Sequence, residues 1–130
     1  MARDFLAYAA GSWGARVAGG DIDGALQAEL LTGPGPGEVF GPQVKAFDRG
    51  ATPLPKVNFY AYGTLKYGVN PASAALDADA PAEILSAPGP GPVFGPHVRA
   101  FNYDGVVLSA MAKVSFFAYQ TLKYGADVAS

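Results

Sequence analysis

Two short acidic stretches carry the residues whose types and spacing could do chemistry. DIDGALQAE, residues 21–29, sets Asp21, Asp23 and Glu29 at its positions 1, 3 and 9. ALDADAPAE, residues 75–83, sets Asp77, Asp79 and Glu83 at positions 3, 5 and 9. Carboxylates this close on a tight turn can supply several of the six to eight oxygens that Ca²⁺ takes at ~2.3–2.6 Å. Other reactive types do not converge. His97 is the only histidine, and its repeat counterpart is Gln43, so it reads as a polar residue at a strand edge. No serine sits in a nucleophile motif. Nothing assembles a nucleophile, a base and an orienter, and a non-enzyme is expected.

The aromatic residues recur at matched places: Phe5/Phe59/Phe116, Tyr8/Tyr62/Tyr119, Trp13/Tyr67/Tyr124, Phe40/Phe94 and Phe47/Phe101. Repetition of this kind is what a stacked core requires. Trp13, Tyr67 and Tyr124 fall in loops and are the candidates for ligand contact, as a carbohydrate-stacking platform. The Gly-Pro-Gly-Pro runs near 33–37 and 88–92 carry no Lys-Ser/Thr and no helix follows them. A phosphate-loop reading therefore fails, and they read as rigid connections.

The elements that must position these residues come from internal repetition. Residues 28–47 and 82–101 are identical at fourteen of twenty positions, at an offset of 54. A second block recurs at 4–16, 58–70 and 115–127. Such a unit cannot bury its apolar face alone and stacks on copies of itself. Each unit holds four strand-length segments: 15–19, 28–33, 43–48 and 57–62, then 69–73, 82–87, 97–102 and 114–119. VKAF and VRAF alternate as one face in and one face out requires. Residues 71–83 are Ala-rich, but alignment to the first copy favours strand, acidic loop and next strand over a helix. The fold class is all-β, with two four-stranded antiparallel units read as propeller blades. The units run 4–57 and 58–114, with a partial third at 115–130; 4–8 is read as an outer strand and 126–130 as an inner one.

Net charge is −2 and the nine basic residues are scattered, so no nucleic-acid footprint is expected. There is no cysteine and hence no thiolate site. No apolar run approaches the ~20 residues of a membrane span. The first residues are too short and interrupted for a secretory signal.

Asp-x-Asp-Gly, Ala-Glu-Leu-Leu-Thr-Gly-Pro-Gly-Pro-Gly, Phe-Gly-Pro-x-Val-Lys-Ala-Phe and Phe-Tyr-Ala-Tyr together resemble the FG-GAP/VCBS repeats of integrin-like β-propellers. The resemblance spans essentially the whole chain. It implies calcium held by Asp/Asn at loop positions 1, 3, 5 and 9. Here Ala25 stands at position 5 of the first loop and Ala75 at position 1 of the second, so weak, structural calcium binding is the most to expect. The resemblance also implies an extracellular or cell-surface setting. Two blades are fewer than a ring needs. The expected partner is therefore a copy of the chain itself, with three copies giving six blades. The alternative is a module that binds a glycan or a protein.

Overall fold

The computed structural model of the chain describes residues 4–9, 12–63, 66–120 and 123–130. Eight strands form two antiparallel sheets of four, each in sequential order, and no helix occurs among the described residues. The first sheet contains β1 (Ala15–Gly20), β2 (Glu29–Pro34), β3 (Gln43–Phe47) and β4 (Pro53–Tyr60). The second contains β5 (Val69–Ala74), β6 (Glu83–Pro88), β7 (His97–Tyr103) and β8 (Leu108–Phe117).

The sheets repeat each other in register. Ala15 pairs with Pro34 as Val69 pairs with Pro88, and Leu30 pairs with Phe47 as Ile84 pairs with Phe101. Both last hairpins shift register at the same point, between Lys45 and Phe47 and between Arg99 and Phe101. Each of the eight expected segments contains a strand, but β4 and β8 begin earlier than expected and stop at Tyr60 and Phe117, short of the expected ends at residues 62 and 119. Pro53 and Pro55 are admitted in β4 because it is an edge strand, where a missing N–H costs no ladder bond.

The second sheet packs on the first through β5, which lies against β1 and β2. Leu31, Val44, Ala46 and Val57 of the first sheet meet Val69, Ile84 and Phe101 of the second in one buried core. Gly33 makes this approach possible, because a Cβ there would overlap the Val69 carbonyl and lie 2.7 Å from its Cγ1. β5 is accordingly buried along most of its length, while β1 alternates exposed and half-buried.

Residues 4–8 and 126–130, read from the repeat as strands, are not strands. A strand exists by its ladder, and neither segment has a ladder partner among the described residues. Both nevertheless lie against the body of the molecule. Phe5 packs on Phe47 with ring centroids 4.8 Å apart, and Val128 packs on the buried cluster of Ala72, Leu85 and Ala100.

Candidate functional site

Each acidic loop joins the first two strands of its sheet, and a buried glutamate at the start of the second strand closes it. Glu29 and Glu83 are 5% and 0% exposed. Glu29 Oε2 accepts from the Ile22 N–H at 2.9 Å, and Glu83 Oε2 accepts from the Leu76 N–H in the same way. The aspartates then shape the turn. Asp23 Oδ1 accepts from Ala25 N–H at 2.9 Å, as Asp77 Oδ1 does from Asp79 N–H at 3.0 Å, and Asp21 Oδ2 accepts from Leu26 N–H.

The expected triads do come together. One carboxylate oxygen from each of Asp21, Asp23 and Glu29 lies within 4.8 Å of the others, and the same holds for Asp77, Asp79 and Glu83. In each cluster one buried oxygen lacks a hydrogen-bond partner among the described residues: Asp21 Oδ1 in the first, Glu83 Oε1 in the second. Burial pushes the Glu29 carboxyl above its ordinary value, against the Ile22 N–H bond, and the charges of Asp23 and Asp21 add to the rise. Asp79 is raised mainly by a hydrogen bond with Asp77 and by the charges around it. Three converging carboxylates with a buried oxygen left over are a donor set of the kind a hard cation takes. Three carboxylates per cluster are well short of the six to eight oxygens calcium takes.

Sequence reasoning missed Asn102, which neighbours Asp79 and whose Oδ1 is buried without a hydrogen-bond partner among the described residues. The counterpart in the first sheet is Asp48, whose Oδ1 accepts from Gly50 and Thr52 N–H at 2.8 Å. Asp48 reads in sequence as ordinary turn chemistry, which hid the position. Asp23, Glu29 and Asp48 line a polar cleft of about 600 Å³. The two loops are neighbours, since Ala82 N–H donates to the Asp21 carbonyl at 2.8 Å.

A second arrangement is aromatic and runs between the sheets. Tyr62 follows β4 in sequence but is buried against the second sheet. Its hydroxyl donates to the Ser86 carbonyl at 2.9 Å and to the His97 carbonyl, and its ring meets Phe94 at 5.5 Å. Arg99 donates to the Ala61 carbonyl beside it, and Phe59 meets Phe101 at 4.6 Å. Burial drives the Tyr62 phenol well above its ordinary pKa.

The candidates for ligand contact belong to the same connections. Tyr67 N–H donates to the Gly37 carbonyl of the first sheet at 2.7 Å, while its ring covers Gly91 of the second. Tyr67 holds φ +78° and Gly68 φ +63°, so two successive left-handed residues set that crossing. Trp13 lies over Gly37 and is 44% exposed. Tyr124 repeats the Tyr67 bond, to the Gly91 carbonyl at 2.9 Å, and its side chain is 66% exposed. The structure thus places Trp13 and Tyr67 as covers over the glycine of a sheet.

Comparison of the chain with family models, with curated proteins and with solved structures found no match.

Proposed function

We propose that this chain is a self-assembling, non-catalytic segment of a β-propeller of FG-GAP/VCBS type, whose two sheets are successive blades of a ring completed by further copies. One observation carries the reading: the two faces of the repeat meet different fates. Val57 and Tyr62, on the side of the first sheet that meets the second, are 0% and 8% exposed. Their counterparts Val114 and Tyr119, on the far side of the second sheet, are partly buried and 68% exposed. Phe59 packs on Phe101, whereas its counterpart Phe116 is 50% exposed. A surface matched residue by residue to a buried interface is suited to the same kind of partner. The contact joins two unlike faces, so it is heterologous and must close into a ring or run on as a filament.

Three copies giving six blades is the closure proposed, since whole chains add blades in pairs. The two carboxylate clusters are assigned as weak calcium sites that steady their loops. In that role Asp21, Asp23 and Glu29, and Asp77, Asp79 and Glu83, would hold the ion, which would supply the positive charge the crowded carboxylates lack.

Light scattering across a micromolar concentration series tests the reading. A mass near three times 13.3 kDa is expected. A dimer or tetramer mass would keep the ring and change the blade count. A monomer throughout would overturn self-assembly.

A further inference from the structure

The N-terminal segment imitates a neighbour. Four contacts that anchor the end of the first repeat on the second sheet have counterparts where residues 4–9 lie on the first sheet. Tyr62 donates to His97 O and shares a 3.3 Å bond with Ser86 Oγ; Tyr8 donates to Gln43 O at 2.9 Å and shares a 3.0 Å bond with Thr32 Oγ1. Tyr62 packs on Phe94, and Tyr8 packs on Phe40 at 6.1 Å. Arg99 donates to Ala61 O, and Lys45 Nζ donates to Ala7 O at 2.9 Å. Phe59 packs on Phe101 as Phe5 packs on Phe47. Each pair of anchors is repeat-equivalent, so both sheets present the same socket.

What fills the two sockets differs. The second sheet receives the end of β4, a strand paired along its length to β3. The first receives a segment with no strand pairing, in which Leu6 is 79% exposed and Phe5 36% exposed. Beneath it a cleft of about 410 Å³ remains, bordered by Phe5, Tyr8, Val17, Leu30, Thr32 and Phe40. The molecule also carries a version of the same key attached to a paired strand. Ala118 N–H donates to the Pro96 carbonyl at 2.9 Å, as Ala61 N–H does to Pro42. Tyr119 is therefore held at the end of β8 as Tyr62 is held at the end of β4, yet it is 68% exposed.

We propose that residues 4–9 are a displaceable plug, and that a second copy of this chain takes their place by seating Phe116 and Tyr119 on the first sheet. This deepens the assembly reading above and rests on it. The incoming β8 is already ordered by its ladder to β7, so it loses less conformational freedom on docking than a loose segment does. The tail at 126–130 duplicates the position of the next copy's β1. It has no ladder, whereas β1 pairs with β2 over six residues, so the tail yields. The plug also lowers association by competing for the socket, which makes Tyr8 and Tyr119 opposing determinants of one equilibrium.

The full-length chain, Tyr119→Ser and Tyr8→Ser are compared by light scattering over a concentration series, with circular dichroism to confirm the β fold. Tyr119→Ser is expected to keep the spectrum, because Tyr119 is exposed, and to lose association. Tyr8→Ser is expected to associate about tenfold more tightly, because the plug loses both the hydroxyl's hydrogen bonds and the ring's packing on Phe40. Tyr8→Phe, which removes only the hydroxyl, should move the same way by less. Association of Tyr119→Ser equal to that of the parent overturns the plug and leaves self-assembly standing. So does a Tyr8→Ser chain that associates no more tightly. A parent that stays monomeric while Tyr8→Ser associates through Tyr119 upholds the plug and removes self-assembly of the intact chain. If neither associates, both readings fall.

Discussion

Tyr62 closes the first repeat in sequence, yet its hydroxyl donates to the Ser86 carbonyl of the second sheet at 2.9 Å. The unit of sequence and the unit of packing are therefore out of step by one connection. Each repeat is completed by a tyrosine that belongs to its successor's face, and the same offset explains why Tyr8 docks on the first sheet and Tyr119 faces solvent.

The Tyr62 hydroxyl contributes directly to stability. Tyr62→Phe keeps the ring against Phe94 and leaves the Ser86 and His97 carbonyls short of a donor in a buried place. A loss of about 1–3 kcal/mol is expected in urea unfolding. Tyr119→Phe in the same assay, at a concentration where the chain is monomeric, should change stability by less than about 0.5 kcal/mol. Equal effects at the two positions would show that the hydroxyl at Tyr62 contributes nothing specific.

The approach of the sheets depends on Gly33. Gly33→Ala would push a methyl into the Val69 carbonyl and side chain, with Pro71 Cδ 3.1 Å away. A backbone carbonyl cannot swing aside, so the sheets must separate, at a cost of about 1–3 kcal/mol. The counterpart position in the second sheet already holds an alanine, Ala87. Ala87→Gly should be mild by comparison, costing the cavity and backbone entropy of one methyl, about 1 kcal/mol. The pair of unfolding midpoints checks this. An innocuous Gly33→Ala would mean that β5 is not held close at this point.

Much of this architecture was legible because the chain says the same thing twice. One copy of Val-Lys-Ala-Phe is a weak strand signal, but two at a fixed offset, each flanked by Gly-Pro, place β3 and β7. The acidic triads were legible for the same reason. Three features were not. Residues 53–56 lay outside the expected strand at 57–62, and proline's tolerance at a sheet edge depends on strand order, which the local sequence does not state. The ends at 4–8 and 126–130 match strand sequences, but a ladder needs a partner, and pattern alone cannot say whether the partner is present. Asn102 was hidden because its counterpart Asp48 satisfies its own turn, so the position carries no signal of reaching towards Asp79.

His97 makes the fold mildly acid-sensitive. Its Nε2 meets Ser115 Oγ at 2.9 Å, and its ring stacks on Phe117 at 4.8 Å. Burial first, and Arg99 second, hold the imidazole below its usual value of 6.5. The unfolded chain therefore binds a proton more readily than the folded one. The stability this residue gives is full above pH 6.5 and is lost as pH falls through the folded value. Gln43 shows the neutral solution at the counterpart position, where its Nε2 donates to Asn58 Oδ1 at 2.7 Å. His97→Gln should flatten the decline of stability below that pH without lowering stability at pH 8. An unchanged slope in the variant would assign the acid response to other groups.

The calcium reading has a signature that ordinary acidic loops lack. Glu83 is fully buried, one oxygen closing the loop on Leu76 N–H and the other without a partner among the described residues, beside Asp77 and Asp79. Without an ion, the buried Glu83 side chain lies beside two exposed aspartates of like charge. Glu83→Gln keeps an acceptor for Leu76, removes one negative charge and adds an N–H₂ that can donate to the neighbouring aspartates. The variant should therefore be at least as stable as the parent in EGTA. With calcium the order should change, because an ion that binds only the folded chain stabilises it by mass action, and the variant has lost a ligand. At a calcium concentration ten times the dissociation constant the parent should gain about 1.4 kcal/mol, with the variant gaining clearly less. The rise should need millimolar calcium, given three carboxylates per cluster. Unfolding curves for both proteins in EGTA and in calcium decide it. A Glu83→Gln chain that is markedly weaker in EGTA would make Glu83 a purely structural loop clasp, and equal calcium responses in the two chains would remove it from the ligand set.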